Sequence, residues 1–133
     1  MLNEDWLRLL RAMPETEETM PFGPGVLVFK LRGKMFATLS MEETPTRMNL
    51  KCSPTLALAL RERYPWIVPG YHMNKKHWNT LKAEPTAARP LVKALIAHSW
   101  NRVRAGLPRK TRNELAIQPT PPSDGWVFPE EGE

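Results

Sequence analysis

Apolar residues near the start of the chain fall at Trp6, Leu9, Leu10 and Met13, the i, i+3, i+4, i+7 spacing that lines one side of a helix. Asn3 precedes this stripe as a capping residue, Glu4 and Asp5 complement the dipole of the first turn, and Pro14 closes the helix. A stretch punctuated by Pro and Gly follows. The pattern then changes period: residues 26–31 and 35–40 are apolar or β-branched runs joined by Arg32-Gly33-Lys34, which predicts a hairpin. A third strand is expected over residues 46–51 after the Glu42-Glu43-Thr44-Pro45 turn. There the period of two puts Met48 and Leu50 on one face and Arg47, Asn49 and Lys51 on the other. One face of the sheet is therefore expected to be wet and basic.

Ser53-Pro54 predicts a helix start, with Ser capping the free amides and Pro in the first turn, where its missing N–H costs nothing. Leu56, Ala57 and Leu60 supply that helix with a buried stripe, and Tyr64-Pro65 ends it. Residues 66–70 read as an irregular connection and 78–83 as a fourth strand. The longest helix is expected from about Thr86 or Pro90 to Ala105, with Gly106 as a left-handed stop, and a last helical turn from Pro108 to about Leu115. From Gln118 onward the Pro-rich and then acidic composition predicts a mobile tail, in which Trp126, Val127 and Phe128 are the candidates for docking on the domain.

These elements amount to a single α+β domain over residues 1–115, followed by a Pro-rich acidic tail over 116–133. At 133 residues and 41 % hydrophobic content, one core suffices without staples. No apolar run approaches the roughly 18 to 20 residues that a membrane span needs. A single cysteine, Cys52, rules out an internal disulfide framework, and a reducing cytoplasm is the expected location. The net charge of +5 conceals a strong asymmetry: residues 1–25 are net −3, residues 26–113 net +13 and residues 114–133 net −5. A field of that kind concentrates polyanions, so nucleic acid is the first partner expected.

The densest contact chemistry lies in His72-Met73-Asn74-Lys75-Lys76-His77-Trp78, which packs two imidazoles, two ammonium groups, an amide and an indole into seven residues. All of these can reach a phosphate or stack on a base. The competing interpretation makes Trp78 a core anchor and His77 a corner residue. His72, His77 and Cys52 lack the number and spacing of a structural zinc site, so neither metal nor cofactor is expected. Cys52 stands before a helix, but none of the four carboxylates in the basic region, Glu42, Glu43, Glu62 and Glu84, lies in a motif suited to acid–base work. Phe22-Gly23-Pro24-Gly25 is not followed by the helix that a phosphate-binding loop needs. A non-enzymatic protein is therefore expected.

Three stretches carry a family resemblance: residues 29–37 (Phe-Lys-Leu-Arg-Gly-Lys-Met-Phe-Ala), 49–54 (Asn-Leu-Lys-Cys-Ser-Pro) and 69–78, which joins Pro69-Gly70-Tyr71 to the segment above. With Ser99-Trp100 and Leu107-Pro108, they closely resemble the MmcQ/YjbR-like family of small bacterial proteins, over roughly residues 13–115. The resemblance implies a CyaY-like fold: an antiparallel sheet with helices packed on one face. It also implies DNA binding through a so-called double wing, with Lys51, His72, Asn74, Lys75, Lys76, His77 and Trp78 at characteristic positions. Trp100 departs from the Tyr that the pattern leads one to expect, and the acidic tail lies outside it, where it would compete with an anionic ligand for the basic face. DNA is thus the leading partner, read through Arg47, Lys51 and the 72–78 segment. An adaptor domain for an acidic protein is the second reading, and an enzyme using His72 or His77 as acid or base is the third.

Overall fold

The computed structural model describes residues 2–129. The terminal acidic run at 130–133 and the side chain of Asn3, with the capping role expected of it, lie outside the described residues. The chain forms α1 (Leu2–Arg11), β1 (Thr16–Thr19), β2 (Val26–Leu31), β3 (Lys34–Ser40), β4 (Arg47–Lys51), α2 (Pro54–Arg63), β5 (Ile67–Pro69), β6 (Trp78–Lys82), α3 (Arg89–Ala105) and α4 (Arg109–Arg112). The six strands make one antiparallel sheet in the order β1-β2-β3-β4-β6-β5. Helices cover one face only. Along β4 the expected alternation holds: Met48 and Leu50 are buried, while Arg47, Asn49 and Lys51 are half-buried on the opposite face.

The inner face supplies Leu27, Phe29, Leu39, Met48 and Leu81, which meet Trp6 and Leu10 of α1, Leu60 of α2 and Leu95 and Trp100 of α3 in one core. Trp100 is fully buried, and its indole N–H donates to the Pro14 carbonyl at 3.0 Å. The indole is thereby satisfied, and α3 is tied to the turn after α1.

Two strands are additional to the four expected. β1 is Thr-Glu-Glu-Thr, without an apolar alternation to announce it, and it is held at the sheet edge by charge. Arg11 pairs with Glu18 at 2.7 Å, and the Gly33 N–H donates to Glu17 at 2.9 Å. β5 is a three-residue edge strand on β6, in which Pro69 stands where a missing donor is tolerated. The charges of β1 and the proline of β5 both blunt edges that would otherwise template further pairing.

The β2–β3 turn is tighter than expected, because Leu31 pairs with Lys34 and only Arg32 and Gly33 remain as the loop. Both have positive φ, 50° and 83°, the geometry of a two-residue hairpin turn. Arg32 is held there by ion pairs to Glu15 at 2.8 Å and Glu114 at 2.9 Å.

Two expectations about helix ends are corrected. Ser53 makes no side-chain cap bond; its backbone N–H instead donates to His98 Nε2 at 3.2 Å. Gly106 is right-handed (φ −86°, ψ −4°), because its N–H closes a tight turn on the Val103 carbonyl and no left-handed residue is required.

After α4 the chain doubles back over the helical side. Asn101 clamps Gln118 by two hydrogen bonds, 2.9 Å to its carbonyl and 2.8 Å from its N–H. Trp126 donates to the Tyr64 hydroxyl at 2.9 Å, Phe128 is buried against His98, and Val127 points outward. Docking is thus the arrangement seen for Trp126 and Phe128. Asp124 accepts from the Tyr64 hydroxyl and lies 3.9 Å from Arg63, so among the described residues this segment places its acid on α2 and not on the basic sheet face.

Candidate functional site

Register decides which side chains share the helix-free face. Across β3, β4 and β6, Thr38 stands opposite Asn49 and Asn49 opposite Thr80; one row over, Ser40 faces Arg47 and Arg47 faces Lys82; at the far end Lys51 faces Trp78. The face therefore carries a polar stripe flanked by cations. Residues 70–77 fold back over one end of it, so that Tyr71, His72 and Met73 form a wall.

The fold-back is built by identifiable contacts. Tyr71 donates its backbone N–H to the Thr80 hydroxyl at 2.8 Å, while the Asn49 amide donates to the Tyr71 carbonyl at 3.4 Å and accepts from Thr80. The Asn74 side chain accepts the Lys76 N–H at 2.9 Å and the Asn74 carbonyl accepts the His77 N–H at 3.2 Å, so Asn74 shapes the turn. From α2, Arg61 donates to Asn79 at 2.6 Å and to the Trp78 carbonyl at 3.1 Å, and also reaches the Lys75 carbonyl. Sequence reasoning passed over Arg61, since nothing local marks a helical arginine as the clamp of a distant loop.

Gly70 is required at the base of the fold-back. A Cβ there would lie 2.7 Å from the Trp78 Cβ and 3.0 Å from the Trp78 carbonyl oxygen, neither of which yields easily. Gly70→Ala is expected to cost about 1–3 kcal/mol of stability, read as a lower urea midpoint with an unchanged slope. An unaltered midpoint would show that the loop shifts freely.

The eight residues singled out from the sequence divide into three groups. His72, Asn74, Lys75 and Lys76 are exposed, and Arg47 and Lys51 are half-buried on the same side of the sheet. His77 is half-buried, with Nδ1 enclosed and unpartnered. Trp78 is buried at 8 % exposure, so a stacking role is not open to it; it is the anchor beneath the fold-back. Lys82 and Tyr71 join the surface from outside that set. The period of two along β6 identifies Lys82 once that strand is placed, and Tyr71 adjoins the 72–78 segment.

Burial, together with the neighbouring Arg102 and Lys34 charges, lowers the Lys51 pKa from its ordinary value. The Arg47 guanidinium lies over the Tyr71 ring at 5.3 Å, and the Tyr71 and His72 rings are 4.0 Å apart, with His72 in a left-handed conformation (φ 58°). Between this wall and Phe22 opens a groove of about 560 Å³, floored by Thr38, Ser40, Asn49 and Thr80 and bordered by Met35 and Glu43. His72 and Glu43 both line the groove, but no hydrogen bond of the described residues joins them. Among the described residues no three His, Cys, Asp or Glu side chains gather as metal ligands, and no helix is long and apolar enough to cross a membrane.

The YjbR family model matches residues 11–102. The uncharacterized protein YbdF of Escherichia coli O157:H7 is 39 % identical over 114 residues, covering 86 % of this chain and 93 % of that protein. The uncharacterized protein YjbR of Escherichia coli K12 is 26 % identical over 115 residues, covering 86 % and 98 %. A crystal structure of a Deinococcus radiodurans protein with a DUF419 domain superposes with a TM-score of 0.79 at 32 % identity, covering 94 % of each chain. A Pseudomonas syringae crystal structure superposes with a TM-score of 0.64 at 26 % identity, covering 74 % of this chain and 96 % of that one.

Proposed function

Because the chain belongs to the YjbR family, we propose that it is a non-catalytic DNA-binding module that holds the phosphate backbone on its helix-free sheet face. The observation that carries this reading is the strand register, which gathers cations without ion-pair partners on one face. Arg11, Arg32, Arg63 and Arg89 are engaged in ion pairs with Glu18, with Glu15 and Glu114, with Asp124 and with Asp5. Arg47, Lys51, Lys75, Lys76 and Lys82 have no carboxylate partner among the described residues. Arg47 and Lys82 stand directly opposite one another on neighbouring strands, a like-charge placement that costs stability. An anionic backbone lying across them removes that repulsion. The paired lysines extend the same charge beyond the strand ends, with the His72 imidazole beside them as a further polar contact, which makes one surface out of residues separated in sequence.

Such binding rests on counterion release, so its strength falls steeply with salt. With about four phosphates held, a fourfold rise in salt should weaken duplex binding roughly hundredfold. Fluorescence anisotropy of a labelled oligonucleotide at two salt concentrations measures this. Binding that is absent, or indifferent to salt, contradicts the proposal.

A further inference from the structure

The groove that Arg47 helps to line differs in composition from the cationic surface around it. Its rims are Phe22, 74 % exposed, and Tyr71, 54 % exposed, two aromatic rings left in solvent on either side of a depression. Isolated exposed aromatics need no explanation, but two that flank one groove beside unpaired cations do. On the floor Thr38 and Thr80 are buried, and the Thr80 hydroxyl is taken up by Tyr71 and Asn49, so the half-buried Ser40 hydroxyl and Asn49 amide are the groups that can meet the edge of a nucleobase. We infer that this groove accepts an unpaired base, so that the preferred ligand is single-stranded DNA rather than duplex.

The inference rests on the DNA-binding reading above and narrows it. In a duplex the bases are paired and stacked, so filling the groove would require flipping one out at a cost of a few kcal/mol. A single strand offers its bases without that cost. Aromatic side chains stack on any base, while the neighbouring cations track the backbone, a combination suited to binding single strands without sequence preference. From the groove, His72 leads to Lys75 and Lys76, along which the backbone of the strand continues. Arg47, held over the Tyr71 ring at 5.3 Å, stands where backbone and base contacts meet.

The test uses the full chain and three probes of equal length, about 12 nucleotides or base pairs: an oligothymidylate, an abasic deoxyribose-phosphate strand and a duplex. The oligothymidylate should bind roughly five- to 150-fold more tightly than the abasic strand, the range expected for stacking one base. The double variant Phe22→Ala/Tyr71→Ala should erase most of that preference, and Phe22→Trp/Tyr71→Trp should keep it. Both positions are exposed, and unchanged far-ultraviolet dichroism would establish that the variants are folded. Equal affinity for the abasic strand, or tighter binding of the duplex, overturns the groove assignment while leaving DNA binding intact. If none of the three probes binds, the DNA-binding reading falls with it.

Discussion

Between pH 6.5 and 4, the protein should lose roughly 3 kcal/mol of folding stability through one side chain, His98. This imidazole is fully buried on α3, and burial first, with the nearby Arg102 charge second, lowers its pKa from the ordinary 6.5 to about 4. Its Nε2 accepts the Ser53 N–H at 3.2 Å, a bond that exists only while that nitrogen is unprotonated. The unfolded chain binds a proton below pH 6.5, whereas the folded one resists until about 4, so acid favours unfolding within that window. Stability from this source is complete above 6.5, lost progressively as the pH falls, and constant once both states are protonated. Glu15 and Glu18, whose pKa values are lowered chiefly by hydrogen bonds from Arg32 and Arg11, add their own acid sensitivity only below their ordinary value of 4.5. Urea unfolding at half-unit steps should therefore show the slope already at pH 6 to 5, and His98→Gln should flatten it there even if the variant is less stable throughout. A wild-type profile that is flat between 6.5 and 4.5 would refute the assignment.

Reversing Arg47, Lys75 and Lys76 to Glu together should weaken DNA binding by roughly several hundredfold at about 0.1 M salt, since each phosphate held contributes close to a factor of eight there. The logarithmic salt dependence should become shallower by about 0.9 for each phosphate no longer held. Reversal adds repulsion to the missing attraction, so several hundredfold is the lower end of the expectation. The fold should tolerate the change: none of the three is in an ion pair of the described residues, and Lys75 gives up only a 3.3 Å hydrogen bond to the Gly70 carbonyl. A control reversal of Lys93 and Arg109, exposed on α3 and α4, should alter affinity far less. Equal weakening by the two sets would mean that net charge, not this face, governs binding.

The fold was legible where local pattern and tertiary environment agree. The hairpin, the alternation along β4 and the long helix that ends in Ala105 all announce themselves by period, because each buries one regular face. β1 and β5 did not, because edge strands bury little: one is written in charged residues and the other in three residues ending in proline. The candidate surface was legible as charge but not as shape. Sequence alone placed Arg47 and Lys51 on one face and gathered His72, Lys75 and Lys76 nearby, yet it left Trp78 open between a stacking surface and a core anchor. Its burial follows from the fold-back at Gly70, a meeting of chain segments that no local signal encodes. The bond from Ser53 to His98 and the clamp by Arg61 were equally hidden, since each joins residues far apart in sequence. The groove between Phe22 and Tyr71 exists only once loops from opposite ends of the sheet are in place.

Whether the helix-free face is the nucleic-acid interface is tested most directly by backbone amide chemical-shift mapping during titration with a short DNA. Shifts should concentrate in residues 47–51, 70–77 and 80–82, with the amides of α1 and α3 nearly still. Shifts concentrated on the helical face, or none at saturating DNA, would contradict that assignment.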